Sequence, residues 1–256
     1  MSQARDLALK TLLSLVLCLF SLSLSANELI GRTSVHVAAA EYLPFTSRTL
    51  PQNGVLLDLT RAAFKAQAIA VRLTFMPWSR ALSMTQGGQM EALVAGFYSD
   101  ARSKTFIYSD SLMQATSIFV SRREGISAHQ LVNGLTDLRV AVEAGSIFER
   151  QLAGTGTILE PVTHLEQGLR MLVLGRVDLV LGTEAYLDKM ITTRFTEQEQ
   201  RHFKPLRLFK GKHSLHLLFP KTAKGAKLRS AFNDGLAKLM QTHEYHAILR
   251  RHHYIK

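Results

Sequence analysis

Arg102 is the residue whose type and setting point most directly to chemistry. It ends the polar stretch Ser99-Asp100-Ala101-Arg102, just beyond the apolar run Ala92-Leu93-Val94-Ala95-Gly96. A guanidinium presents parallel N–H groups in a planar fork, which matches the two oxygens of a carboxylate. The bland alternative is a surface or salt-bridged arginine, and Lys104 nearby shows that positive charge is ordinary here. His243 and His246, one helical turn apart, with His252 and His253 behind them, have the chemistry of zinc ligands. The set is incomplete and Arg250 and Arg251 would repel a cation, so no metal is expected. No Gly-x-Ser-x-Gly elbow, His-Glu-x-x-His pair or phosphate loop occurs, and no cofactor is expected.

The elements that must position these groups alternate between strand and helix. Thr33 to Ala40 reads as a strand that breaks at Glu41-Tyr42-Leu43-Pro44-Phe45. Leu56, Leu59, Ala62, Ala63 and Ala66 keep helical spacing, and Val71 to Met76 is the next strand. A helix begins near Ser79, Gly87-Gly88 turns the chain, and Ala92 to Ala95 is a strand buried on both faces. Ile118–Ser121, Leu138–Val142, Val177–Leu181 and Leu215–Phe219 read as later strands, with a polar linker from Arg122 to Asn133. Helices are predicted from Ile147 and over His164–Leu174. One long helix is predicted over Ala226–Leu249, with Leu228, Phe232, Leu236, Leu239 and Met240 on one face. The alternation implies an α/β layer fold, in which ligands collect beyond the carboxyl ends of the strands.

Residues 1–26 have a basic start (Arg5, Lys10), an apolar run from Leu12 to Leu24, and small residues at Ser25 and Ala26. That is the layout of a secretory signal peptide, and the apolar run is shorter than the ~20 residues of a membrane span. A periplasmic location follows. Cys18, the one cysteine, lies in this segment, and Leu17 before it argues against lipid attachment. The chain carries a formal charge of +11, or +10 without the leader. The basic residues are dispersed and no nucleic-acid motif or aromatic platform accompanies them, so no nucleic-acid partner is expected.

Several stretches, in order, resemble the bacterial extracellular solute-binding proteins of family 3, the polar amino-acid uptake type. They are Glu41-Tyr42-Leu43-Pro44-Phe45, Gly54-Val55-Leu56-Leu57-Asp58-Leu59 and Trp78-Ser79-Arg80-Ala81 in the first part. Gly88-Gln89-Met90-Glu91-Ala92 is similar to the family's Gly-x-x-Asp-Ala, with Glu for Asp. Gly175-Arg176-Val177-Asp178-Leu179-Val180 and Phe232-Asn233-Asp234-Gly235-Leu236-Ala237-Lys238-Leu239 complete the order. The Trp78 run resembles the branch with a Trp-x-Arg motif.

The resemblance implies a type II periplasmic binding protein: two α/β lobes, joined by hinge strands, that close on a solute. Lobe one would comprise residues 27–115 and a return segment, 214–256, with lobe two at 116–213. Arg102 matches the arginine that holds the ligand's α-carboxylate, and Trp78 and Tyr42 match an aromatic clamp, against the alternative of core packing. Gly96, Phe97, Tyr98 and Ser99 would supply backbone or hydroxyl donors. Family members usually have one more residue in this loop and Thr or Ser in place of Tyr98. Ser146 would offer a donor from lobe two, or simply cap its helix. Thr183 stands where amino-acid binders carry an aspartate for the ammonium group, so a simple carboxylate competes with an α-amino acid as ligand, and Glu184 is the nearest replacement charge. The implied function is capture of a small anionic or zwitterionic solute by a monomer that serves an inner-membrane ABC permease or a sensor. The alternatives are a sensory binding domain and a periplasmic enzyme on the same fold, resembling the dehydratases that act on cyclic carboxylates, for which Glu143 or Glu184 would be the general acid if the cleft raised its pKa.

Overall fold

The structure, a computed structural model, describes residues 34–126 and 134–255, with the backbone alone for 208–210. The expected leader with Cys18, and residues 127–133 of the expected linker, lie outside the described residues. Among the described residues no helix is long and apolar enough to cross a membrane.

The first part of the chain forms β1 (Ser34–Ala39), α1 (Val55–Lys65), β2 (Ala70–Phe75), α2 (Trp78–Gln86), β3 (Ala92–Phe97), α3 (Asp100–Ser103) and β4 (Phe106–Tyr108). A long strand β5 (Met113–Arg122) leads to β6 (Arg139–Glu143), α4 (Ile147–Leu152), β7 (Ile158–Val162), α5 (Leu165–Val173), β8 (Leu179–Thr183), α6 (Glu184–Arg194) and α7 (Glu197–Gln200). The 18-residue β9 (Phe203–Pro220) runs back, and α8 (Ala223–Met240) and α9 (His243–Arg251) finish the chain.

The strand order is β2-β1-β3-β9-β5-β8-β6-β7, with β4 paired to β9. β1 is parallel to β2 and β3, and β6 is parallel to β7 and β8. Two parallel α/β units are thus joined through the antiparallel pair β5–β9. The expected crossing points lie side by side, Ala115 against His213 and Gln114 against Ser214, and the register shifts between Ser117 and Phe119.

Strand alternation divides the first unit's core into two layers. Val35, Val37 and Ala39 of β1 pack with α1 and α8, whereas Ala38 and Ala40 face Trp78, Ala81 and Leu93. In the second unit Ala141 and Val180 pack with Leu169 and Leu172 of α5, and Val140, Val142 and Leu179 pack with Ile147 and Phe148 of α4.

The predicted long terminal helix is two helices. Thr242 breaks it: its hydroxyl donates to the Leu239 carbonyl (2.7 Å) and accepts from the Tyr245 N–H (3.4 Å), so it caps a new N-terminus. Met240, at the end of α8, is half exposed rather than part of the buried face. The second helix is tied back by Asp58, buried in the first turn of α1, where a carboxylate is favoured by the helix dipole. Arg251 Nη1 donates to Asp58 Oδ2 at 2.6 Å, and His252 Nε2 lies 3.0 Å from the same oxygen. Asp58→Ala should cost about 1.5–3 kcal/mol, the usual worth of hydrogen bonds to a charged group, with His252 left buried and Arg251 half exposed. The check is a denaturant titration, together with earlier protease cleavage after α8.

Candidate functional site

A cavity of about 50 Å³ lies where the carboxyl ends of β1, β3, β6 and β8 converge between the two units. Ala40, Glu41 and Tyr42 enter it after β1, Gly96 and Phe97 from the end of β3, Glu143 from the end of β6, and Gly182 and Thr183 from the end of β8. The first turns of α4 and α6 add Ser146, Ile147, Phe148 and Tyr186. Trp78 and Arg102 also line it.

Arg102 is 4% exposed, held in the short helix α3 by its N–H donating to Ser99 Oγ (3.2 Å). Its Nη1 donates to the Phe97 carbonyl at 3.1 Å and its Nη2 to the Gly145 carbonyl at 3.0 Å. Nε is buried without a partner among the described residues. The guanidinium carbon sits 5.4 Å from the Trp78 ring centroid, within cation–π range. Burial lowers the Arg102 pKa, with Tyr108 opposing, but an arginine stays charged at any physiological pH. A buried cation with carbonyls for company and no carboxylate is an unusual arrangement for a purely structural arginine.

Trp78 opens α2 directly after Pro77, and its Nε1 donates to the same Gly145 carbonyl at 3.2 Å. Gly145 can aim that carbonyl because it adopts φ +75°, a left-handed turn between β6 and α4. Gly96 permits the close approach of Trp78: a Cβ there would run into Leu218 Cδ1 and lie 3.3 Å from Trp78 Cη2.

Opposite, Tyr42 donates from its hydroxyl to Thr183 Oγ1 at 2.8 Å, and its ring meets Tyr186 edge-on with centroids 5.3 Å apart. Burial raises the Tyr42 and Tyr186 pKa values, so both phenols remain neutral donors. The bonds of Arg102 and Trp78 to Gly145, and of Tyr42 to Thr183, each join the first unit to the second.

Of the residues singled out from sequence, Arg102, Trp78, Tyr42, Gly96, Phe97, Ser146 and Thr183 line this cavity, and Tyr98 and Ser99 do not. Tyr98 is 52% exposed and bonds Asp100 at 3.0 Å, because alternation along the chain gives the inward position to Phe97. Ser99 is the N-cap of α3 and so positions Arg102. Ser146 also caps a helix, accepting weakly from the Glu149 N–H. Glu184 ion-pairs with Arg207 and is absent from the lining. Phe97, expected only as a backbone donor, contributes its ring as a wall, and sequence reasoning missed Phe148 and Tyr186. The signal for the last two was available: an aromatic in the first turn of a helix that follows a strand's carboxyl end.

Glu143 had been singled out only as a possible acid. Its carboxyl faces the cavity without a hydrogen bond or ion pair among the described residues, and burial pushes its pKa up to about 8. The folded chain therefore holds a proton that the unfolded chain releases near pH 4.5, so stability falls as pH rises from there towards about 8. The slope is at most about 1.4 kcal/mol per pH unit. Glu143→Gln, which mimics the protonated form, should raise the melting temperature at about pH 8 and change it little at about pH 5. Equal effects at both would show that this carboxyl is not protonated in the fold.

The sequence from residue 35 to residue 254 matches the family described as bacterial extracellular solute-binding proteins, family 3. No curated protein sequence matches the chain. Among solved structures, a histidine kinase sensor domain with similarity to periplasmic binding proteins superposes with a TM-score of 0.74 at 21% identity, over 86% of this chain and 96% of that one. The arginine-, lysine-, histidine-binding protein ArtJ from Geobacillus stearothermophilus gives 0.73 at 16% identity, over 88% and 96%. The GluR0 ligand-binding core from Nostoc punctiforme, in complex with L-glutamate, gives 0.71 at 18% identity, over 85% and 98%. The likeness establishes the α/β fold of two-lobed periplasmic binding proteins. With the family match spanning nearly every described residue, the chain belongs to the bacterial extracellular solute-binding proteins, family 3.

Proposed function

We propose that this chain is a periplasmic receptor that captures a small solute bearing a carboxylate, an amino acid or a simple carboxylate, and delivers it to an inner-membrane ABC permease. The observation that carries this reading is Arg102: a buried cation at the cavity wall whose fork is met by two backbone carbonyls and no acid. The Gly145 carbonyl stands where one carboxylate oxygen would be received, and a ligand would replace a neutral acceptor with a charged one, a stronger bond. Trp78 and Tyr42 flank the ligand, Gly96 lets Trp78 close in, Ser146 and Thr183 offer polar contacts, and Tyr98 and Ser99 support the Arg102 loop from outside.

The bonds of Arg102 and Trp78 to Gly145, and of Tyr42 to Thr183, hold the units together across the cavity, so admission of a solute requires them to part and re-close. β5 and β9 are the hinge we assign, dividing lobe one (27–115 and 214–256) from lobe two (116–213). We take the protein to act as a cofactor-free monomer, exported by its leader, without catalysis. A thermal-shift screen of residues 27–256 against amino acids and small carboxylates tests this. A ligand at ~100 times its Kd stabilises by about 2.7 kcal/mol, and silence across the whole panel would overturn the reading.

One observation favours a second reading. Glu143 lines the cavity with its pKa raised by burial, beside the arginine to which we assign the carboxylate, and an acid and an arginine so placed are the equipment of a dehydratase. Turnover of a cyclic carboxylate, rather than its simple retention, would establish that reading in place of the first.

A further inference from the structure

Glu143 stands at the cavity end of β6, and the groups around it define what it can meet. From the segment after β1, Tyr42 feels its charge and Glu41 lines the same cavity, though Glu41 is turned to Arg48 (3.3 Å) near the surface. From α6, Tyr186 feels its charge and is neutral. From α3, Arg102 directs its Nη groups to the Phe97 and Gly145 carbonyls and forms no ion pair with Glu143. From β8, Thr183 is uncharged and its hydroxyl accepts from Tyr42. Glu149, in the first turn of α4, accepts from the Gly145 N–H. Glu143 is therefore the carboxyl within this cavity whose bonding capacity is unspent on protein groups among the described residues. It faces a wall of two tyrosine rings, which also favour a cation.

We propose that Glu143 receives the cationic group of the ligand, and that capture expels the Glu143 proton to solvent. This rests on the carboxylate-capturing function proposed above and narrows its ligand to a zwitterion, with the ammonium on Glu143 and the carboxylate on Arg102. A simple carboxylate would satisfy Arg102 alone. The carboxyl is neutral until a cation makes ionisation favourable, so the site carries no stranded negative charge between captures. Binding is then linked to pH. Below the Glu143 pKa of about 8, each encounter must first remove a proton, and affinity weakens as pH falls.

The test uses the wild-type protein, residues 27–256, and the twenty standard L-amino acids, each hit being paired with its deamino carboxylate of the same carbon skeleton. For a hit, isothermal titration should show binding roughly 50-fold tighter at about pH 8 than at about pH 6, the factor for one proton leaving a group with a pKa of about 8. Buffers of different ionisation enthalpy should report close to one proton released per ligand at about pH 6. Glu143→Gln should bind the amino acid more weakly, without this pH dependence and without proton release. A wild-type protein that binds the deamino carboxylate as tightly as the amino acid, or shows no proton release, overturns the role of Glu143 and leaves the receptor function standing. No response to either class overturns the receptor function, and this inference with it.

Discussion

Arg102→Ala should weaken capture of the solute by about 100- to 1000-fold, the effect of leaving a buried carboxylate without its partner at about 3–4 kcal/mol. The fold should survive the change. Arg102 has no protein carboxylate to strand, and its side-chain partners include carbonyls at Phe97 and Gly145, the Trp78 ring and the Tyr108 hydroxyl. An arginine buried for structural reasons would show the reverse pattern, a large loss of melting temperature. Arg102→Lys separates charge from geometry, because an ammonium keeps the charge but cannot present a planar fork. It should recover only part of the lost affinity. Titration calorimetry on the three proteins, with melting curves beside it, decides the matter. Unaltered affinity in Arg102→Ala would remove Arg102 from the site.

Much of the fold was legible because the parallel units write themselves into short apolar runs and helical spacing. Ala92–Ala95 and Leu179–Leu181 are buried on both faces, so their neighbours can be inferred without knowing what they are. β9 was mostly illegible: sequence marked only Leu215–Phe219, whereas the strand begins at Phe203. Lys204, Arg207 and Lys212 interrupt its apolar pattern, and its extended form comes from pairing with β5, a partner some 90 residues away. The break at Thr242 was missed for a different reason. Helical periodicity continues across it, and the capping hydroxyl wins locally.

The site was legible to the extent that it follows strand ends. Arg102, Trp78, Tyr42 and Thr183 were singled out by the family resemblance; they lie after β3, β2 and β1 and at the end of β8, and the structure gathers them around one cavity. Tyr98 was placed there by proximity in sequence, but one residue along an extended chain reverses the side-chain direction. Glu143 could not be weighed from sequence. Whether a carboxyl at the end of a strand meets a partner or an apolar wall depends on the opposing unit, here Tyr42 and Tyr186.

Phe232→Ala should be the most destabilising of the substitutions considered, at about 3–5 kcal/mol. Phe232 is fully buried in α8, with its ring centroid 5.2 Å from that of Phe64 in α1 and 6.4 Å from that of Phe219 in β9. It therefore joins the terminal helix to both the opening segment and the returning strand. The next turn of α8 shows how little slack exists, since a Cβ on Gly235 would strike the Ala63 carbonyl. Gly235→Ala, which in an open helix gains about 1 kcal/mol, should here lose stability. For a chain of this size the Phe232→Ala loss corresponds to a fall of about 6–20 °C in melting temperature. The second unit has its own core around Leu169, Leu172 and Val180, which Phe232 does not reach. Melting should accordingly separate into two steps in the variant, the first unit yielding before the second. A single undisplaced transition would mean that α8 contributes far less to the first unit than its packing implies.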